Sequence, residues 1–350
     1  MLLSISSAWN AAWPILVAIF LFLMLIFIHE FGHFIAAKAM GVRVNEFAIG
    51  FGPTLFKKQG KETLYAIRVV PFGGFCAMEG EDDESVDSKA FCNKKPWRRL
   101  IIIIAGATFN LVFGLILVMI ILAPQSKFAS TKIAEFSDDA ISSQYGLQVG
   151  DEILKVDGRT IYTTYDLSYA FTGVKDSMVD MLVERDGDKV LLNDVKFSTD
   201  TVEGVSVVNV DFWVAGIEKN PATFISQSFK TTVSYGRIVW LSLIDLIGGK
   251  YGLSSVSGPV GVTVAIGTVA RSGITNLLPM IVLITVNLGV FNLLPIPALD
   301  GSRALFILIE MVRRKPVPQK YESAIHATGL VVLLAFMALI TLKDVFKLFA

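Results

Sequence analysis

The sequence predicts a membrane α-helical protein: about four transmembrane helices, a membrane-associated β-loop and an inserted α+β domain. Three observations predict it. The 350 residues are 53% hydrophobic and only 18% charged, well to the apolar side of soluble domains. Apolar runs reach spanning length in four places. Between the second and third lies a stretch of soluble composition, residues 124–220. Positive and negative side chains balance, 31 against 31, and no basic patch carries interleaved aromatics, so a nucleic-acid partner is excluded. The lipid bilayer is the partner the composition implies.

The first apolar run, Pro14–Ala37, is too long for a signal peptide and lacks a basic start and a cleavage site. The second, Leu100–Ala123, is introduced by Trp97-Arg98-Arg99, an aromatic and basic anchor of the kind found at membrane interfaces. The third, Leu277–Leu294, ends irregularly, and the fourth is Ala327–Leu342. Four parts follow: residues 1–123, 124–220, 221–276 and 277–350. Lys and Arg set the orientation. None precedes the first span, whereas the loop from Lys38 to Arg99 carries eleven. The third-to-fourth connection carries Arg303, Arg313, Arg314, Lys315 and Lys320. Both loops are expected on the cytoplasmic side, which puts both termini and residues 124–276 outside.

The first loop holds Gly50-Phe51-Gly52-Pro53, then Leu64–Val70, then Pro71-Phe72-Gly73-Gly74-Phe75. β-branched and aromatic residues punctuated by Gly and Pro read as strands joined by turns. The loop is apolar enough to dip into the membrane where protein covers its backbone. The acidic run Glu79–Asp87 reads as a solvated linker. Cys76 and Cys92 fall in this loop, show no C-x-x-C spacing and read as ordinary reduced thiols.

In residues 124–220 the telling segment is Tyr145–Ile161. A Gly-Leu opens it, Gly150-Asp151 makes a turn, Ile153 and Val156 mark a strand, and Asp157-Gly158 makes a tight hairpin turn. Asp166–Gly173 reads as helix. Met178–Arg185 and Lys189–Phe197 read as strands joined at Asp186-Gly187-Asp188. The pattern resembles a PDZ domain, whose sheet edge and helix take an extended peptide. A peptide ligand and a purely structural role are both open. Residues 221–247 then repeat apolar side chains at helical spacing. That amphipathic helix either lies on the membrane interface or packs on the PDZ-like domain.

The chemistry sits in the first span. Residues 29–33 read His29-Glu30-Phe31-Gly32-His33, and only three His occur in the chain. H-E-x-x-H on a helix puts two imidazoles on one face, where both can bind one Zn2+ ion. The Glu between them can take a proton from water, as in a metalloprotease. Ionisable groups at membrane depth are expensive and usually functional. A catalytic zinc needs a third protein ligand. His326 is one candidate. Asp300, after the two prolines of Asn292-Leu293-Leu294-Pro295-Ile296-Pro297-Ala298-Leu299-Asp300-Gly301, is the stronger one.

His29–His33, Pro71-Phe72-Gly73-Gly74, the Gly150-Asp151 segment, Ser257-Gly258-Pro259-Val260-Gly261 and Asn292–Gly301 occur in that order. Together they resemble the bacterial site-2 proteases of the regulator of sigma-E protease group, over nearly the whole chain. The resemblance implies a zinc-dependent intramembrane protease of the bacterial cytoplasmic membrane. Its substrates would be single-span membrane proteins, commonly anti-sigma factors, or signal-peptide remnants. It implies zinc ligands at His29, His33 and Asp300 and the catalytic carboxylate at Glu30. It also implies substrate handling by Asn292 and Pro297 and by the β-loop at Tyr65, Ile67, Val69 and Gly73. Two positions depart from the family pattern. Ala107 stands where a Pro often follows the glycine of the second span, although Asn110 is kept. The frequent L-D-G-G is Leu299-Asp300-Gly301-Ser302. Only one PDZ-like unit fits, where the sigma-E type has two.

A metal transporter would spread polar residues through the spans and often repeat internally. This chain concentrates them in one cluster. A scaffold would have no need of Glu30 between two ligands.

Overall fold

The four apolar runs are all helical in the computed structural model, which describes residues 5–81, 84–174, 176–202, 205–252 and 256–349. The segments long and apolar enough to span a bilayer are Ala12–Ala39, Pro96–Leu122, Thr275–Leu293 and Gln319–Lys347. The last is longer than its apolar core because the polar flanks continue the helix. Contacts divide the chain into two compact units, Met1–Gly114 with Ser257–Ala350, and Leu115–Val256.

In the first unit, α1 (Ile5–Ala39) ends where Gly41 takes a left-handed φ of 72° and the N–H of Val42 donates to the Ala37 carbonyl, 2.8 Å away. The hairpin β1 (Val44–Gln59) and β2 (Leu64–Met78) is folded on itself. Phe47 is flanked by both Cys76 and Tyr65, and Ile49 by both Gly74 and Ile67. The fold-back needs Gly50, whose Cβ would lie 2.6 Å from the Val70 carbonyl oxygen. One outer edge of this small sheet is therefore the end of β2, residues 74–78.

α2 (Pro96–Leu122) packs on α1 and on α6 (Ile274–Leu293) through glycines. A Cβ on Gly32 would meet the Ala105 carbonyl oxygen at 2.6 Å, and one on Gly289 would meet that of Ala107 at 3.1 Å. With little hydrophobic drive between helices in lipid, such close backbone approach supplies the association. α5 (Pro259–Arg271), α7 (Asp300–Arg313) and α8 (Gln319–Phe349) complete the unit. α5 falls in the stretch that the sequence presents only as a linker. It lies against α1, where a Cβ on Gly267 would sit 2.4 Å from Pro14 Cβ.

The second unit is built on a sheet with strand order β10-β3-β4-β6-β7 and β5 paired to β4. The strands are β3 (Lys127–Phe136), β4 (Glu152–Val156), β5 (Arg159–Thr160), β6 (Met178–Arg185), β7 (Asp188–Lys196) and β10 (Phe212–Glu218). Asp157-Gly158 and Asp186-Gly187 all have positive φ, the turn that matches strand twist. The hairpin β8 (Ser198–Val202)–β9 (Val205–Asn209) carries no such signal in the sequence. α3 (Thr164–Ala170) starts earlier than its apolar pattern because Thr163 and Asp166 form a capping box. Ile133, Ile153, Met181, Val195 and Phe197 form the core.

α4 (Pro221–Ile247) runs over the range its periodicity predicts, opened by an Asn220 cap and Pro221. Its polar face is fastened to the body of this unit. Ser234 Oγ and Arg237 donate to Asp166 at 2.6 and 2.9 Å, and Arg159 donates to Asp245 at 2.6 Å. Ile225, Phe229, Trp240 and Ile244 make an exposed stripe on the other face.

Candidate active site

His29 and His33 share one face of α1 because they are one turn apart, and both are buried. Each ring is held from behind by α2. His33 Nδ1 donates to the Ile102 carbonyl at 2.9 Å. That bond fixes the tautomer and leaves Nε2 with its lone pair free for a metal. His29 Nδ1 faces the side-chain amide of Asn110 at 3.1 Å, and Asn110 Oδ1 is otherwise buried without a partner. A half-turn of the amide places Oδ1 on His29 Nδ1–H, removes the orphan and gives His29 the same tautomer as His33. Gly106 supplies the room. A Cβ there would lie 2.3 Å from His33 Nε2 and 2.8 Å from His29 Cε1.

Asp300 reaches the pair from the first turn of α7. α6 ends at Leu293, and Pro295 and Pro297 cannot continue a hydrogen-bonded helix. Ala298 turns the chain with a left-handed φ of 73°. α7 then returns so closely that a Cβ on Gly301 would sit 2.1 Å from the Leu294 carbonyl oxygen, which explains the Asp-Gly pair. Ser302, in place of the family's frequent glycine, donates its hydroxyl to the Leu299 carbonyl at 2.7 Å.

His29 Nε2, His33 Nε2 and Asp300 Oδ2 form a triangle with sides of 3.3, 3.0 and 3.2 Å. A tetrahedral zinc with bonds of about 2.0–2.1 Å has ligand atoms roughly 3.3 Å apart. The donor set is two imidazoles and one carboxylate, a set zinc commonly takes with one position left open. The residues therefore fit the ion. Among the described residues these three form the grouping whose ligand atoms lie within 4.8 Å of one another. His326 does not join it. Its Nδ1 accepts the N–H of Ala298 at 3.3 Å.

A cavity of about 700 Å3 opens over the triangle, lined also by Glu30, His326 and the edge Phe75–Met78. Cys76 is a free thiol there, and burial beside Glu30 pushes its pKa well up, so it stays protonated. The acidic run is more than a solvated linker. Glu79 accepts from Asn45 at 2.9 Å and Ser85 at 2.8 Å, Glu81 pairs with Arg303, and both carboxylates line the cavity. Asp82 and Asp83 lie outside the described residues.

The implied substrate-handling residues are dispersed. Tyr65 and Ile67 line a separate hollow with Phe47 and Phe56, of about 330 Å3, and Val69 is exposed. Gly73 faces the ring of Phe51. Pro297 packs under Gly329, and Asn292 is half-buried at the end of α6. Gly106 and Asn110 stood in the sequence only as positions of the family pattern, and the structure shows that both touch the ligand imidazoles. The available signal was an Asn within an apolar span.

A family model described as peptidase family M50 matches residues 17–336. The chain belongs to this site-2 protease family. It is 39% identical over 334 residues to a Clostridium perfringens protein assigned as a zinc metalloprotease, covering 95% of this chain and 98% of that one. It is 28% identical to zinc metalloprotease RasP of Geobacillus kaustophilus, with 93% and 96% covered. It is 27% identical to the regulator of sigma-W protease RasP of Bacillus subtilis, with 95% and 98% covered. The last alignment spans 413 residues, more than this chain has, so that relative carries residues with no counterpart here. As an M50 member with helices of spanning length, the chain is a membrane metalloprotease, a peptide hydrolase.

Proposed function

We propose that this M50 peptidase is a zinc-dependent intramembrane endopeptidase that cleaves transmembrane segments of single-span membrane proteins in regulated proteolysis. The observation that carries the proposal is that Glu30, on a helix of spanning length, lines one cavity with three converging ligand atoms. Zinc held by His29, His33 and Asp300 would supply a Lewis-acidic position that lowers the pKa of water toward ~7. Glu30 takes a proton from the attacking water and delivers one to the leaving amine. A helical substrate hides its carbonyls in backbone hydrogen bonds and must unwind to be cut. The edge Phe75–Met78 borders the cavity and can hold the opened segment by strand addition. Asn292, Pro297 and the strand around Tyr65–Val69 guide the substrate toward it.

Anti-sigma factors and signal-peptide remnants are the substrate classes, the first in keeping with the name of the Bacillus subtilis relative. The Lys38–Arg99 loop faces the cytoplasm of a bacterial cell, as its eleven basic residues favour, and the PDZ-like domain lies outside. Labelling from outside, in a background lacking Cys76 and Cys92, then modifies a Ser143→Cys variant and spares Ser85→Cys. The opposite pattern inverts the topology. For the activity, a tagged single-span protein is exposed to the wild type and to Glu30→Gln, with bound zinc measured. The variant keeps zinc and loses at least about 100-fold in rate. Undiminished cleavage by Glu30→Gln rejects the mechanism.

A further inference from the structure

We infer that His326 is a positioning residue for the metal site: from α8 it fixes the turn that presents Asp300. The inference rests on the reading of Asp300 as the third ligand. Two contacts and one strained dihedral carry it. The N–H of Ala298 donates to His326 Nδ1 at 3.3 Å, two residues before Asp300. Ala298 carries a Cβ in the left-handed region, φ 73°, a conformation that persists only where neighbours enforce it. The imidazole also meets the ring of Phe306, on the second turn of α7, edge-on at 5.9 Å. His326 thus touches the chain on both sides of Asp300.

Gly329 lies three residues on and shares a face of α8 with His326. Its missing side chain lets α8 sit directly on Pro297. A Cβ there would fall 2.2 Å from Pro297 Cβ and 2.9 Å from the Pro297 carbonyl carbon. The two α8 residues grip adjacent residues of one turn, Gly329 through shape and His326 through a hydrogen bond. As an acceptor at Nδ1, the His326 ring carries its proton on Nε2. A histidine in the last span, outside the ligand triangle, therefore has a defined task. It holds a strained backbone in the one geometry that delivers a carboxylate to His29 and His33. Partners that orient ligands of this kind change metal affinity by about 10–100-fold when removed.

The test uses the purified full-length protein, loaded with cobalt(II) for its absorption spectrum and with zinc for competition against a chromophoric chelator. His326→Ala is expected to weaken zinc binding at least about tenfold and to alter the cobalt bands. His326→Asn keeps an acceptor where Nδ1 stood and is expected to return affinity to within about threefold of wild type, which a merely space-filling role would not do. Gly329→Ala lifts α8 from the turn by another route and is expected to reproduce His326→Ala. Should His326→Ala fail to fold, Gly329→Ala and His326→Asn decide on the same readouts. Wild-type affinity and unchanged cobalt bands in His326→Ala, or in Gly329→Ala where the first is not folded, overturn the proposal. Unchanged bands in Asp300→Ala overturn the ligand reading itself, a result distinct from the first.

Discussion

The side-chain amide of Asn110 lies 3.1 Å from Nδ1 of His29, while Nε2 of the same ring faces Asp300 at 3.0 Å. One imidazole thus joins α2 to α7. Asn110 is itself held, because its main-chain carbonyl accepts the Thr285 hydroxyl of α6 at 3.2 Å. An amide oxygen on Nδ1–H raises the basicity of the ligand and fixes its orientation. Asn110→Leu removes the acceptor while keeping the branched shape of the side chain. Zinc affinity is expected to fall about 10–100-fold by chelator competition. An affinity equal to wild type removes Asn110 from the metal site.

Gly106 tests the same face by shape. A methyl group there would enter the space of both imidazoles, 2.3 Å from His33 Nε2. Overpacking of this kind costs about 1–3 kcal/mol. Gly106→Ala is expected to lose zinc while the protein still elutes as a folded species. Full zinc occupancy by elemental analysis would show that α2 can step away from α1 without disturbing the ligands.

How much of this was legible in the sequence follows from which forces leave a linear pattern. Spans show themselves by length and composition, and His29–His33 by helical spacing. Asp157-Gly158 and Asp186-Gly187 show themselves because few residues accept positive φ. Gly32, Gly106 and Gly289 read as ordinary members of apolar runs, yet each sets how near two backbones come. Which helix faces which is a matter of tertiary contact, and no period encodes it. For the same reason both His326 and Asp300 suited a third ligand by residue type. The two prolines favoured Asp300, and the turn at Ala298 gives the physical reason, pointing the carboxylate at the triangle and spending the His326 nitrogen on the backbone. The amphipathic helix was legible in its bounds, and Trp240 spoke for the membrane interface, but only the structure shows Asp166 and Arg159 holding its polar face on this unit through Ser234 and Asp245.

The hold on α4 gives a pH dependence with a definite sign. Burial pushes the Asp245 carboxyl up, but hydrogen bonds from Arg159 and Tyr169, at 2.6 and 2.7 Å, outweigh it and hold the pKa below its ordinary value. A depressed folded-state value contributes stability that is present above the unfolded pKa of about 3.9 and lost as pH falls through the folded one. Asp245→Asn is therefore expected to destabilise the Leu115–Val256 unit at pH 7 by about 1.5–3 kcal/mol, as loss of charged hydrogen bonds does. The gap to wild type should close below pH ~4. Hydrogen exchange in α4 of the full-length protein, at both pH values, measures it. A gap that is the same at pH 7 and pH 3 contradicts the assignment.

The Leu115–Val256 unit is expected to act as a size gate. The motivation is its soluble composition between two spans and the orientation proposed above from the distribution of Lys and Arg, under which it would lie outside. It supplies no ligand or base, since all three proposed ligands and Glu30 come from the other unit. It can still obstruct substrates with bulky outer domains, so that substrates need prior trimming, as suits a protease that must spare most membrane helices. The deletion must be chosen with the fold in view. One ending before β10 would strip β10 of its partner β3 and leave the polar face of α4, held by Asp166 and Arg159, facing water or lipid. Removing residues 124–250 and inserting a flexible linker takes out the sheet and α4 together. Zinc binding should persist, and a substrate with a large outer domain should now be cut as readily as one with a small outer domain on the same transmembrane sequence. If the groove instead recruits substrate as a peptide, cleavage of both falls equally, and the gate is rejected.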